Sequence, residues 1–277
     1  NLWAVTPFQS KPPQRVPASG SYTEGEGRFS ADGQSMVFIS ARSGRAQVWI
    51  ARADGSGARA ITDLEPVDVV SALWAPNSRD VIVSTRSKEH GERIYRTGTE
   101  GPPSLTSSLT LLLQGAMAIR LSADGQWLYL GKRKAAQRSI WRTPYPAANR
   151  EELIVDGGAH GVESPDGRSF YFAQRDETQG IWRKSLPDGQ AIQVVPKLLR
   201  RNLFVLSKTG IFFIAPLPGQ PLPALFFQSF ASRQPQLLLA FDREIDWGLD
   251  LSPDGKTLLY TQVDSGSSDL KLVPEFR

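Results

Sequence analysis

The hydrophobic residues of this chain fall in short runs broken by polar punctuation, and the runs recur. Met36-Val37-Phe38-Ile39, Val81-Ile82-Val83, Trp127-Leu128-Tyr129-Leu130, Phe170-Tyr171-Phe172, Ile211-Phe212-Phe213-Ile214 and Leu258-Leu259-Tyr260 are continuous apolar stretches rich in β-branched and aromatic residues. Such runs predict strands covered on both faces, because a half-solvated strand would alternate. A polar or glycine-containing break follows each, as at Arg42-Ser43-Gly44. Then comes a shorter run: Val48-Trp49-Ile50, Ile94-Tyr95-Arg96, Ile140-Trp141-Arg142, Ile181-Trp182-Arg183, Leu225-Phe226-Phe227 and Leu270-Lys271-Leu272. Weaker fourth strands are predicted at residues 59–62, 152–155 and 192–195. Short first strands such as Gly27-Arg28-Phe29, Ala72-Leu73-Trp74 and Gly248-Leu249-Asp250-Leu251 precede the apolar runs. No segment shows a helical period.

A turn stands in front of each apolar run. Ser30-Ala31-Asp32-Gly33 returns as Ser122-Ala123-Asp124-Gly125, Ser164-Pro165-Asp166-Gly167 and Ser252-Pro253-Asp254-Gly255. Ala75-Pro76-Asn77-Ser78 and Ser207-Lys208-Thr209-Gly210 are degenerate copies, and the six lie 42 to 47 residues apart. Asp accepts local backbone hydrogen bonds, Pro presets φ, and Gly supplies the positive φ that closes a hairpin. Four strands per unit at this period predict an all-β chain, a six-bladed β-propeller of four-stranded antiparallel blades, in one domain over residues 1–277. The third-strand aromatic is expected to pack between neighbouring blades, which makes most of the seven Trp core residues. Trp247, at a blade entrance, is the best candidate for stacking on a carbohydrate.

Closing the ring raises a question of strand supply. Leu2-Trp3-Ala4-Val5 matches the third-strand pattern and Gln14-Arg15-Val16 the fourth, so residues 1–18 are predicted to be seam strands. The last unit supplies only three strands before Arg277. Residues 2–5 and 270–273 therefore compete for one position. The surplus strand is read here as a sign of a longer parent, with this domain its C-terminal part.

Composition narrows the chemistry. With no Cys and only His90 and His160, thiolate nucleophiles, disulfides and Cys-based metal sites are excluded. A net charge of +4 is mild for 277 residues. No interval approaches the ~18 apolar residues of a spanning helix. There is no Gly-x-Ser-x-Gly elbow, P-loop or Rossmann glycine pattern.

The Ser-Pro-Asp-Gly turn, an aromatic strand and then Ile-Trp-Arg resemble the TolB-like, WD-like bacterial β-propeller repeat, over essentially the whole chain. No Gly-His or Trp-Asp pair recurs, so the eukaryotic WD repeat is a poorer match. The segment from Leu258 to Arg277 resembles the C-terminus of bacterial regulators that carry a CadC-type winged helix or a Ser/Thr kinase domain ahead of a propeller. That resemblance implies a non-catalytic sensory or protein-interaction domain of a signalling or transcription-regulatory protein, favouring an extracytoplasmic position and leaving the cytoplasm open. Two other readings stand beside it: a TolB-like periplasmic protein of envelope complexes, and the propeller cap of a serine peptidase lacking its catalytic domain.

Propellers bind where the loops entering the innermost strands converge. The residues predicted for that mouth are Glu24, Glu26, Arg28, Asp68, Arg120, His160, Glu163, Arg201, Asp246 and Trp247. Their mixed charge suits a peptide or a protein terminus; the alternative is that they solvate the mouth or pair with one another. His160-Gly161-Val162-Glu163 and the Asp246/Asp250 pair lack the spacing for metal or acid–base chemistry on a strand, so no metal, cofactor or catalytic residue is predicted. The basic runs Lys132-Arg133-Lys134 and Arg200-Arg201 are read as solvated hairpin tips, without direct nucleic-acid binding; any DNA binding would come through an upstream winged helix. Arg96, Arg142 and Arg183, recurring with the repeat, are expected to tie blade to blade. The isolated domain is expected to be a monomer.

Overall fold

The repeat turn is where the architecture is written into local chemistry. In a computed structural model, which describes residues 1–9, 11–17, 24–134, 137–174, 179–232 and 234–264, the four complete turns are near copies. The Ser30 hydroxyl donates to Asp32 Oδ1 at 2.6 Å, and Asp32 Oδ1 also accepts the Gln34 N–H at 3.0 Å. The Ser35 N–H returns to Ser30 Oγ at 3.0 Å. Ser122/Asp124, Ser164/Asp166 and Ser252/Asp254 repeat the 2.6 Å hydroxyl–carboxylate bond. Gly33, Gly125, Gly167 and Gly255 all sit at φ near +70° (70, 71, 70 and 73°), the left-handed region that disfavours a Cβ. In the degenerate turns Asn77 Oδ1 and Ser207 Oγ take over the acceptor role.

Each turn joins the first and second strands of an antiparallel blade. The chain starts with β1 (Leu2–Val5) and β2 (Gln14–Arg15). Blade one holds β3 (Glu24–Phe29), β4 (Ser35–Ser40), β5 (Gln47–Arg52) and β6 (Arg59–Ala60). Blade two holds β7 (Asp68–Trp74), β8 (Asp80–Ser87), β9 (Gly91–Gly98) and β10 (Thr110–Gln114). Blade three holds β11 (Met117–Leu121), β12 (Trp127–Lys134), β13 (Gln137–Pro144) and β14 (Glu152–Asp156). Blade four holds β15 (Gly158–Glu163), β16 (Ser169–Gln174), β17 (Ile181–Ser185) and β18 (Ala191–Val195). Blade five holds β19 (Phe204–Leu206), β20 (Gly210–Pro216), β21 (Pro223–Ser229) and β22 (Gln236–Ala240). Blade six is composite, with β23 (Ile245–Leu251) and β24 (Leu258–Gln262) followed outward by β1 and β2. The fold is the predicted six-bladed propeller.

The seam is settled by pairing. Leu2 lies opposite Thr261, Trp3 opposite Tyr260, Ala4 opposite Leu259 and Val5 opposite Leu258, so β1 takes the third position of blade six. The competing segment, residues 270–273, lies outside the described residues. Trp3 Nε1 reinforces the seam by donating to Asp264 Oδ1 at 3.0 Å.

Every pair of adjacent blades shares one hydrophobic core, six in all. The second strand feeds two of them at once, because its side chains alternate faces. Met36 and Phe38 point towards blade six, while Val37 points towards blade two. Leu128 and Leu130 face blade two, and Tyr129 faces blade four. This double burial explains why the second-strand runs are apolar without interruption. Trp49, Trp141 and Trp182 pack against the inter-blade cores as predicted, each only partly buried.

Of the three recurring arginines, two depart from the blade-to-blade expectation and Arg96 follows it. Arg142 pairs at 2.8 Å with Glu152 of its own blade and lies 4.1 Å over the Trp127 ring, so it ties strands within a blade rather than blades to one another. Arg183 meets Tyr171 in its own blade, and Arg96 reaches Tyr145 in the next. Among the described residues no helix is long and apolar enough to cross a membrane.

Candidate functional site

The six innermost strands surround a channel that is wide at one end, pinched in the middle and narrow at the other. Five of the six carry a bulge against their second strands; only β19 pairs without one. A bulge re-aims the residues beside it. In β3 it brings Glu26 and Arg28 into the channel, with Glu26 at φ +53°. Neighbouring Gly248, at φ +109°, permits the approach, since a Cβ there would stand 3.0 Å from Glu26 Cα.

At the pinch, Arg120 donates to Asp250 Oδ1 at 3.0 Å, and the Phe29 N–H donates to Asp250 Oδ2 at 2.9 Å. Blades three, one and six are thus pinned together through one buried carboxylate. Arg28 lies beside this pair, 4.0 Å from Glu26 Oε2, and lines the cavities on both sides. Burial raises the Glu26 carboxyl against the opposing pull of Arg28, Arg120 and Arg201. Burial, and then the same three guanidiniums, hold His160 well below the usual imidazole range, so His160 is uncharged at neutral pH.

The wide end opens on the face of the repeat turns, as a cavity of about 860 Å³. Its collar consists of the second residue of each turn, one per blade: Ala31, Pro76, Ala123, Pro165, Lys208 and Pro253. Leu73, Trp74, Val162, Val205 and Leu251 form apolar walls, and Arg28 and Arg120 reach the floor. Phe8, exposed and at φ +62°, overhangs this cavity against Phe227, with ring centroids 5.1 Å apart. The narrow end, at the loops entering the innermost strands, is a chamber of about 100 Å³.

The ten residues predicted for one mouth are therefore distributed. Glu26, Arg28, His160, Arg201 and Trp247 meet at the narrow chamber. Arg120 and Glu163 belong to the wide side, where the Tyr129 hydroxyl donates to Glu163. Glu24 and Asp68 line neither cavity: the Glu24 carboxylate is buried against Arg42, and Asp68 is exposed. Asp246 stands 4.0 Å from Arg200. Arg200 and Arg201 are not a solvated hairpin tip; their guanidiniums cover the Trp247 ring at 5.1 and 4.6 Å. Among the described residues no three His, Asp or Glu side chains gather as a metal site. The collar is not among the residues expected at the mouth, because that mouth is placed at the loops entering the innermost strands, on the opposite face. Its signal was nevertheless present, as the small or Pro residue following the first position of nearly every repeat turn.

Comparison with known proteins places the fold. No family model matches the chain. A curated protein of Bacillus subtilis called an uncharacterised peptidase, YuxL, is 30% identical over 178 residues, covering 62% of this chain and a quarter of the relative. A TolB protein of Agrobacterium tumefaciens superposes with a TM-score of 0.74 at 14% identity, over 95% of this chain and 98% of that one. TolB of Acinetobacter baumannii gives 0.69 at 12% identity, over 87% and 63%. In fold, the chain is a TolB-like six-bladed β-propeller.

Proposed function

We propose that this propeller is a non-catalytic recognition domain that seats an apolar segment of a protein partner in the wide cavity, within a bacterial signalling or transcription-regulatory protein. The observation that carries this reading is the collar: all six repeat turns contribute to one rim, and five of its six residues are Ala or Pro. A large concave site with apolar walls and a few convergent polar groups is the usual form of a binding pocket. Two carboxylates that line the wide cavity are committed elsewhere, Asp250 to Arg120 and Phe29, and Glu163 to Tyr129. Among the described residues His160 Nε2 is buried without a hydrogen-bond partner, so no nucleophile is seen bonded to it there.

The test uses peptides selected on the 277-residue domain by phage display. Ala31→Arg and Ala123→Arg, both at exposed collar positions, are expected to weaken the selected peptides at least tenfold without moving the melting temperature. Unchanged binding would overturn the seat. Peptidase or esterase turnover abolished by one Ser or Asp substitution would overturn the non-catalytic assignment. The match to a protein called a peptidase favours one second reading, the cap of a serine peptidase. A hydrolase domain encoded in the same reading frame would decide for it.

A further inference from the structure

The narrow chamber concentrates polar atoms that the fold leaves unsatisfied. Glu26 Oε2, Arg28 Nε, His160 Nε2 and Asn202 Oδ1 are all buried without a hydrogen-bond partner, and all four residues line the same chamber of about 100 Å³. His160 and Asn202 are only 8% and 7% exposed. Buried polar groups are ordinarily paired, because an unmade hydrogen bond costs about 1–3 kcal/mol. Four orphans around one small space point to something that occupies it.

The charges decide what that is. Arg28, Lys132, Arg133, Arg138 and Arg201 line the chamber, against two carboxylates, Glu26 and Glu92. Glu92 is taken by Arg86 at 2.8 Å, and Lys132 by Glu151. Arg138 feels the others: burial and then Arg201 and Arg133 lower its affinity for its proton. An ammonium group would meet more cationic than anionic side chains. Glu26 repels any anion, and a dianion about twice as strongly as a monoanion. Cationic side chains outnumber carboxylates around the chamber, so an anion is favoured, and a planar carboxylate fits its small volume with one oxygen on Arg28 Nε–H and the other on His160 Nε2–H in the tautomer that protonates Nε2. The Asn202 amide completes the ring once its NH₂ faces inward. Trp247, held under Arg200 and Arg201, forms the wall beside it.

We propose that the narrow chamber is a carboxylate-binding site, built by Arg28, His160, Arg201 and Asn202 on the face opposite the collar. The carboxylate comes either from a small organic acid or from the C-terminus of a polypeptide. The site shares Arg28 with the floor of the wide cavity but none of the collar residues, so collar substitutions leave it intact.

Isothermal titration calorimetry on the whole chain tests it with acetate, propionate, N-acetyl-triglycine, its C-terminal amide and inorganic phosphate. Saturable one-to-one binding of a carboxylate is expected, weakened at least tenfold in Arg201→Gln with the melting temperature retained. Should Arg201→Gln unfold the domain, Arg133→Gln/Arg138→Gln at the rim is expected to weaken binding at least fivefold. Acetate binding as tightly as N-acetyl-triglycine identifies a small acid as the source; binding of the peptide acid alone identifies a chain terminus. The proposal is overturned if no carboxylate saturates, if the amide binds as well as the acid, if phosphate binds more tightly, or if the folded variants bind like the parent.

Discussion

Arg120 carries two roles that only one measurement separates. The sequence places it with Arg201 at the mouth, yet its guanidinium is engaged by Asp250, which is buried at 5% exposure. Arg120→Met leaves that carboxylate with the Phe29 N–H alone, and breaking a buried pair this way costs about 3–5 kcal/mol. Urea unfolding is expected to show the loss; a change below about 1 kcal/mol would mean that solvent satisfies Asp250. Residue chemistry of this kind was half legible. Glu26, Arg28, His160, Arg201 and Trp247 are legible from their places near blade entrances. Glu24 meets the same rule, but it lies before the bulge between Gly25 and Arg28 and is buried against Arg42 instead of entering the channel with Glu26.

At the scale of the element, the turn is a self-contained module. Ser122→Ala removes both the bond to Asp124 and the acceptor for the Trp127 N–H, and is expected to cost about 1 kcal/mol per bond lost. Hydrogen bonds from Ser, and then from the following backbone N–H, depress the carboxyls of Asp32, Asp124, Asp166 and Asp254. Their contribution to stability is thus fully present above the unfolded value, about 3.9, and is lost as pH falls through the lower folded value. Replacing all four by Asn is expected to flatten the fall in melting temperature below about pH 4. An unchanged acid profile would place the acid sensitivity elsewhere. The bulges were not legible in the same way. Gly248→Ala forces a Cβ against the backbone of β3 at a positive φ, and is expected to destabilise by about 1–3 kcal/mol. Thermal unfolding checks it, but nothing in the run Trp247-Gly248-Leu249 announces that the neighbour is Glu26.

For the whole molecule, ring closure depends on strands from opposite ends of the chain. Leu2 is fully buried in the core between blades six and one, with Val16, Met36, Phe38 and Leu259. Leu2→Ala is expected to cost about 2–5 kcal/mol, as other large-to-small core changes do, and to loosen the seam first. Hydrogen exchange should then rise in β24 and β1 ahead of blades three and four. Uniform exchange across all blades would show that the ring opens as one unit.

The sequence by itself determined the class, the number of blades, the position of every repeat turn and which strands are doubly buried. Those features are local: each turn closes through bonds between residues a few positions apart, and each second strand must be apolar because a blade lies on either side. Tertiary structure alone decided which seam strand joins blade six, which mouth is wide, and that Asp250 meets Arg120 across 130 residues of chain. The channel is made where six strands converge, so its shape and charge belong to the closed ring and to no single repeat.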